Sequence, residues 1–184
     1  MDKNFENPVY SRDVLELVTV AVQYCAFLEN VEGNRRTDFV DTLLKLLPLL
    51  YLKGALLPRF DSDPAIELQD VVTEENYDIV RTNVAVVMGC HDDFLDVFVD
   101  DMKYSDTPIL CTVSESLADI YQDLKNFCMA YKNGVEETQK EAVVQCRDNF
   151  ETYWGQRLVN VMRALHELRY GVQEDEEDED FEKV

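Results

Sequence analysis

Two carboxylates four residues apart, Asp119 and Asp123, are the pair in this sequence whose spacing most suggests chemistry. On a helix they share one face, where like charges repel slightly, so their placement needs water or a cation beside them. Three arrangements meet that need. Both carboxylates lie at the surface, one of them pairs with Arg157 of the last predicted helix, or together they bind a ligand or a metal ion.

The ligand arrangement places a small-molecule or divalent-metal site between two predicted helices, residues 112–132 and 135–170. Gly155 lies in the middle of the second helix, where glycine costs about 1 kcal/mol relative to alanine. This cost is tolerated where another backbone or a bound group comes close. Gly155 therefore indicates either a tight helix–helix contact or the floor of a pocket. The predicted ligand-binding residues are Asp119, Tyr121, Asp123, Trp154 and Arg157.

A second cluster contains several types of metal ligand, because a cysteine, a histidine and carboxylates follow one another. The spacing matches no closed zinc pattern, and one histidine among carboxylates suits a hard or borderline divalent ion better. The other interpretation is an acidic loop that caps the next helix. The candidate metal ligands are His91, Asp92, Asp93 and Asp96.

No catalytic residue is predicted from motifs. The sequence has no glycine-rich phosphate loop, no Gly-x-Ser-x-Gly elbow and no recognisable cysteine–histidine nucleophile context. Two histidines leave little acid–base machinery beyond carboxylates and tyrosines. We expect no cofactor, and no motif supports an enzymatic activity.

Helical periodicity predicts the elements that position these side chains. Ser11, Thr73 and Thr112 can cap helices, a further helix begins near Thr37, and the last one spans roughly residues 135–170. Every strongly periodic segment is helical, and short turns join consecutive helices. We therefore predict an all-α fold, a multi-helix bundle of about five to seven helices with a long C-terminal helix.

Three segments carry more specific expectations. Pro48 lies inside the second helix, so we expect a kink or a restart there. Residues 43–57 are apolar on nearly all sides, so the helical hairpin that contains them should be the most buried part of the protein. Residues 94–99 alternate like a strand, but we predict a short helix or an irregular segment because an isolated strand has no partner.

The charge is distributed unevenly along the chain. The net charge of −21 includes −14 from residues 61–123 and −7 from residues 174–184, and the remaining segments are nearly neutral. We divide the chain into a helical domain, residues 1–173, and an acidic tail, residues 174–184. The tail is expected to be disordered because its acidic run has nothing apolar to bury and repels itself.

Composition also excludes classes of function and location. A general nucleic-acid binder or a protein that docks on an anionic membrane needs a basic surface, which this chain lacks. No apolar run is long enough to span a membrane, and the first residues do not resemble a secretory signal. The five cysteines are odd in number and form no Cys-x-x-Cys pair. They indicate reduced thiols in a cytoplasmic protein.

Two motifs resemble a known bacterial family. Residues 117–125, LADIYQDLK, resemble the LADIYxDLK signature of the family called domain of unknown function 5063. Residues 149–166 resemble its second segment, although Tyr153 and Gln156 stand where that family commonly has histidines. The resemblance implies a helical fold and a bacterial cytoplasmic setting, and it implies no activity.

Binding is the function that these observations favour. We predict an interaction module whose acidic segment, residues 61–123, faces a basic surface on a protein partner. The alternative is the small-molecule or divalent-metal site described above. A weaker alternative is a nucleic-acid mimic whose acidic face occupies a basic groove. The sequence does not determine the oligomeric state.

Overall fold

Helices dominate the fold, as the sequence predicts. The computed structural model describes residues 8–96 and 109–171. Six α-helices and one pair of short antiparallel strands lie within these ranges, which confirms the all-α class. The helices are α1 (Arg12–Glu29), α2 (Arg36–Ala55), α3 (Glu74–Met88), α4 (Val113–Asn133), α5 (Glu136–Asn149) and α6 (Gly155–Tyr170), and the strands are β1 (Asp93–Asp96) and β2 (Ile109–Thr112). The predicted acidic tail lies outside the described residues.

Caps define several helix ends. The Thr73 side chain accepts a hydrogen bond from the Asn76 amide, and Thr112 accepts one from the Glu115 amide, both at 3.2 Å. Each satisfies a backbone donor that the first turn of a helix leaves unpaired. Gly89 ends α3 with a φ of 57°, which an L side chain rarely adopts. Ser11 occupies the N-cap of α1, but its side chain makes no cap hydrogen bond.

Helix α4 is central to the bundle. It packs against α1, α3, α5 and α6, and α2 packs against α1 and α6. Its fully buried residues include Leu117, Ile120 and Leu124. The Tyr24 hydroxyl of α1 donates to the Leu117 carbonyl at 2.9 Å, so this buried phenol has a partner. None of the described helices is both long and apolar enough to cross a membrane.

The prediction for the strand-like segment was wrong. Asp93–Asp96 is a strand, and it pairs antiparallel with Ile109–Thr112. The missing partner is a second strand that continues directly into α4, which the sequence pattern did not reveal. Residues 97–99, the rest of that segment, lie outside the described residues.

The restart expected at Pro48 is wrong, because α2 continues from Arg36 to Ala55, while the alternative of a kink there stays a prediction. The expectation that this part of the chain is the most buried was also wrong. Helix α2 is buried on one side only, because it lies at the outside of the bundle and has neighbours on only part of its circumference. Leu43, Leu47 and Leu50 are fully buried, whereas Leu49, Leu52 and Leu56 are 45%, 50% and 46% exposed.

The long C-terminal helix contains a π-turn. Five residues, Phe150–Trp154, separate α5 from α6, and the Gly155 amide donates to the Phe150 carbonyl five residues earlier. The inward-facing residues recur every four positions, at Cys146, Phe150, Trp154 and Leu158. Because an ideal helix completes a turn in about 3.6 residues, each step of four rotates the side chain about 40° beyond a full turn. The π-turn absorbs this drift, so that α5 and α6 both pack against α4.

Candidate functional site

Asp119 lies at the centre of a polar cluster between three helices. Its carboxylate accepts hydrogen bonds from the Tyr77 hydroxyl of α3 at 2.8 Å and from the Tyr153 hydroxyl at 3.0 Å. Arg157 of α6 completes the set, with Nη1 2.9 Å from Asp119 Oδ2. We call Asp119, Tyr77, Tyr153 and Arg157 the Asp119 cluster. Of the three arrangements left open by the sequence, the structure shows the Asp–Arg pair.

The cluster is held together by charge and partial burial. The Asp119 side chain is only 12% exposed, and the Arg157 guanidinium lies 4.9 Å from the centre of the Tyr153 ring. Burial and the nearby Asp119 carboxylate raise the pKa of Tyr153 to about 12. Burial and the Asp119 hydrogen bond also raise the pKa of Tyr77. Both hydroxyls therefore remain protonated donors at neutral pH, and Asp119 has three partners.

Asp123 lies one turn further along α4 in a different environment. Its Oδ1 accepts a hydrogen bond from Asn149 Nδ2 at 2.7 Å. Burial, with smaller contributions from Asp119 and Asp70, raises the pKa of Asp123 to about 6. The carboxyl borders a cavity of about 30 Å³, which is room for one or two water molecules. Gln145 of α5 also lines this cavity.

Replacing Asp123 by asparagine is expected to stabilise the protein at neutral pH. The folded-state pKa of about 6 lies above the usual 3.8. Stability is therefore greatest below the unfolded pKa and falls as the pH rises through the folded pKa. Asp123→Asn keeps the acceptor for Asn149 and removes the charge, so the free energy of unfolding at pH 8 should rise by about 1 to 2 kcal/mol, after a discount for partial solvent screening.

Denaturant unfolding from pH 4 to pH 8 tests this prediction, with the difference between variant and wild type as the measured quantity. The difference should grow between the two pKa values and then level off. Asp148→Asn is the matched control, because that aspartate is exposed on α5. An Asp123→Asn variant that is less stable than wild type at pH 8 would contradict the prediction.

Two of the predicted ligand-binding residues lie away from Asp119. The Tyr121 hydroxyl donates to Glu29 Oε1 of α1 at 2.8 Å, and Lys125 Nζ lies 2.5 Å from the same oxygen. Trp154 is fully buried, and its indole Nε1 donates to the Cys146 carbonyl at 3.3 Å. The structure thus brings Asp119, Arg157 and the neighbouring Asp123 together, while Tyr121 faces α1 and Trp154 belongs to the core.

Sequence reasoning missed Tyr77 and Asn149. Tyr77 meets Asp119 across 42 residues of sequence, and Asn149 meets Asp123 across 26. No local pattern in the sequence indicates either contact. Tyr153 had a signal, because it replaces a histidine in the motif that the chain resembles.

The two glycines near Trp154 have different close neighbours. A Cβ added at Gly155 would overlap the Phe150 carbonyl oxygen and lie 3.0 Å from two carbons of the Phe150 ring. The close approach at Gly155 is therefore to the π-turn of its own helix rather than to a second helix. The glycine that permits the tight interhelix contact is Gly54 of α2, where a Cβ would lie 2.8 Å from ring carbons of Phe150 and Trp154.

Two of the candidate metal ligands, Asp92 and Asp96, accept hydrogen bonds from two different helices. Asp92 caps α4, because its carboxylate accepts from the Ser114 amide at 2.8 Å and from the Ser114 hydroxyl at 2.6 Å. Asp96 accepts a hydrogen bond from Asn160 of α6 at 2.9 Å. Within residues 8–96 and 109–171, no group of three or more histidine, cysteine, aspartate or glutamate side chains is placed to hold a metal ion. The helix-capping interpretation of Asp92 is thus confirmed.

The outward side of α3 combines acidic and apolar side chains. Glu75, Asp78, Ile79, Thr82 and Val86 are all exposed and follow helical spacing along one face. Ile79 is 52% exposed and Val86 is 76% exposed. We call this surface the α3 face, which consists of Glu74, Glu75, Asp78, Ile79, Thr82 and Val86.

The acidic side chains of the α3 face have few basic partners in the described part of the chain. Asp78 forms an ion pair with Arg81 at 3.3 Å, while Glu74 and Glu75 form none with the residues that the structure describes. Several basic side chains elsewhere are engaged with other acids. Examples are Lys53 with Glu16, Lys125 with Glu29, Arg147 with Glu151 and Arg169 with Asp41.

Comparisons with known proteins agree with this helical architecture. The model of a family described as "Domain of unknown function (DUF5063)" matches residues 8–171. The crystal structure of protein BF1032 from Bacteroides fragilis is similar, with a TM-score of 0.78 and 41% sequence identity. The match covers 89% of this chain and 99% of that chain. A comparison with curated proteins gives no significant match.

Proposed function

The chain belongs to the family described as domain of unknown function, DUF5063, and on this premise we propose that it is a protein-binding module that works through the α3 face. The observation that carries the proposal is that one helix exposes Ile79 and Val86 beside three acids, of which, among the described residues, only Asp78 is paired with a base. Exposed β-branched side chains contribute apolar burial on association. The surrounding carboxylates steer a basic partner towards the same surface.

The partner that fits the α3 face is a protein with a basic surface and an apolar patch. Residues 61–123 carry −14 of the total net charge of −21, and α3 lies in that segment. An acidic surface of this kind increases the association rate with a basic partner and makes it sensitive to salt. We also propose a bacterial cytoplasmic location, which is supported by five free cysteines and by similarity to a Bacteroides fragilis protein.

Charge reversal on α3 tests the proposal. The variant Glu74→Lys, Glu75→Lys, Asp78→Lys should lose a protein that the wild-type chain captures from a lysate of its own cell at low salt. Raising the salt should weaken the wild-type capture, because surface charges are screened. The captured protein should carry a basic surface.

The matched control reverses three exposed acids elsewhere, in the variant Glu32→Lys, Glu137→Lys, Asp148→Lys. It changes the net charge by the same amount and should retain the captured protein. Equal loss in both variants would mean that capture follows total charge, and it would contradict a specific α3 interface. Thermal unfolding of both variants establishes that they are folded.

The small-ligand alternative has less support. The cavity beside Asp123 is about 30 Å³, whereas small-molecule pockets span about 300 to 1,000 Å³. A divalent ion would fit that volume better than a metabolite. If an ion binds there, Mg²⁺, Ca²⁺ or Mn²⁺ should raise the melting temperature of the wild type and leave that of Asp123→Asn unchanged. An equal response of the two proteins would remove this alternative.

A further inference from the structure

A second surface, formed by other helices than α3, lies between α2 and α6. These helices run antiparallel, because Gly54 meets Trp154 at one end and Asp41 pairs with Arg169 at 2.6 Å at the other. Between them is a groove of about 480 Å³, which falls within the range of pockets that hold ligands. Its lining residues are Leu44, Pro48, Val159, Met162, Arg163, His166 and Tyr170.

The floor of this groove is apolar and accessible. Val159 is 42% exposed and Tyr170 is 63% exposed. Next to the groove, Leu49 and Leu52 of α2 are also about half exposed, at 45% and 50%. Exposed apolar side chains in and beside one groove indicate a surface that another segment covers.

The rim of the groove is basic. Arg163 lines the groove itself, and Arg169 lies above the Tyr170 ring with its guanidinium carbon 5.4 Å from the ring centre. Arg169 lowers the pKa of Asp41 most, and Lys45 of α2 lies close enough to lower it further. Two acids lie at this end of the groove, Asp41 beside Arg169 and Lys45, and Glu167 next to Gly171. The groove therefore fits an acidic segment that also carries an apolar side chain.

The sequence beyond α6 has this composition. Residues 174–184 contain eight acids, one lysine and one aromatic residue, Phe181. They follow Gly171, which comes directly after Tyr170 at the end of the groove. We propose that the groove between α2 and α6 binds the chain's own C-terminal segment, with Phe181 on the apolar floor and the preceding acids beside Arg163 and Arg169.

The length of the segment is sufficient. Phe181 is ten positions beyond Gly171, and an extended chain of that length reaches about 33 Å. The distance back along α6 from Gly171 to Val159 is twelve residues of helix, or about 18 Å. The extended segment is therefore long enough for Phe181 to reach every part of the groove floor. This inference concerns a different surface from the α3 face and does not depend on the proposed partner.

Methionine methyl groups supply a direct test in the full chain. Met162 lies in the groove, and Met88 is fully buried in the core. In ¹³C-methyl-methionine NMR spectra, Phe181→Ala should move the Met162 resonance by more than its line width, because an aromatic ring leaves the groove. Met88 should not move. Val184→Ala is the control substitution in the same segment and should leave Met162 close to its wild-type position.

Charge supplies a second arm of the test. Raising the ionic strength from about 0.1 M to about 1 M shortens the Debye length from about 10 Å to about 3 Å and should move Met162 towards its position in Phe181→Ala. The variant Glu176→Gln, Glu177→Gln, Glu179→Gln should do the same at low salt. Coincident Met162 resonances in wild type and Phe181→Ala would overturn the proposal. A Met162 position that depends on protein concentration would also overturn it, in favour of binding to a second copy.

Discussion

Asp119→Ala is expected to lower the free energy of unfolding by about 3 kcal/mol, because it breaks a largely buried charge pair and leaves hydrogen-bond donors unpaired. The Asp119 side chain is 12% exposed and joins three partners on α3, the π-turn and α6. Removing the carboxylate leaves Tyr77, Tyr153 and Arg157 without their shared acceptor. Urea unfolding of the variant at pH 7 measures the loss.

A matched control separates this effect from a general change in charge. Asp148→Ala removes an exposed aspartate from α5 and should change stability by no more than about 0.5 kcal/mol. A double-mutant cycle with Arg157→Ala should give a coupling energy of about 1 to 3 kcal/mol, as expected for residues in one network.

The sign of the Asp119→Ala effect also bears on function. Sites that evolve for binding or catalysis often reduce stability, so removing their residues is neutral or stabilising. If Asp119→Ala loses several kcal/mol, the Asp119 cluster serves mainly to join α3, α4 and α6. A stabilised variant would contradict that structural role and would favour a ligand at this position.

Gly155→Ala is expected to destabilise the protein by about 2 to 3 kcal/mol, although alanine is the better helix former. Intrinsic propensity alone predicts a gain of about 1 kcal/mol for this substitution. The added Cβ would overlap the Phe150 carbonyl oxygen that accepts the π-turn hydrogen bond. Because this oxygen is backbone, relief requires a shift of the turn and of the aromatic rings packed on it, a form of overpacking.

Gln156→Ala is the matched control, since Gln156 is the next residue and is exposed. It should be neutral or slightly stabilising in the same denaturant experiment. A stabilised Gly155→Ala variant would mean that residues 150–154 form an ordinary α-helix. Gly54→Ala should also destabilise, because its Cβ would meet the Phe150 and Trp154 rings from the α2 side.

The two proposed interaction surfaces differ in the origin of their charge. The α3 face is acidic because most of the acids of residues 61–123 have few bases among their sequence neighbours. The basic side chains in and beside the α2–α6 groove, Lys45, Arg163 and Arg169, come from two helices that lie in nearly neutral segments. Net charge along the sequence therefore predicts the first surface and gives no indication of the second.

Local patterns determined much of the fold in advance. Caps at Thr73 and Thr112, the stop at Gly89 and the apolar periodicity of α4 act over a few residues, so they were correctly predicted. The two motifs that indicate the family are likewise continuous stretches of sequence. The drift of the inward-facing residues from Cys146 to Leu158 was a readable signal for the π-turn, but its spacing of four also fits a helix and was interpreted as one.

Tertiary structure alone decided which of these elements meet and which faces remain open. The sequence placed Asp119 and Tyr121 together in one predicted site, yet packing directs Asp119 to Tyr77, 42 residues away, and Tyr121 to Glu29, 92 residues away. The same packing supplies a partner for the β1 strand and leaves one side of α2 exposed. Helix formation depends on neighbours within one or two turns, whereas partner choice and burial depend on how whole helices cross, which no short stretch of sequence encodes.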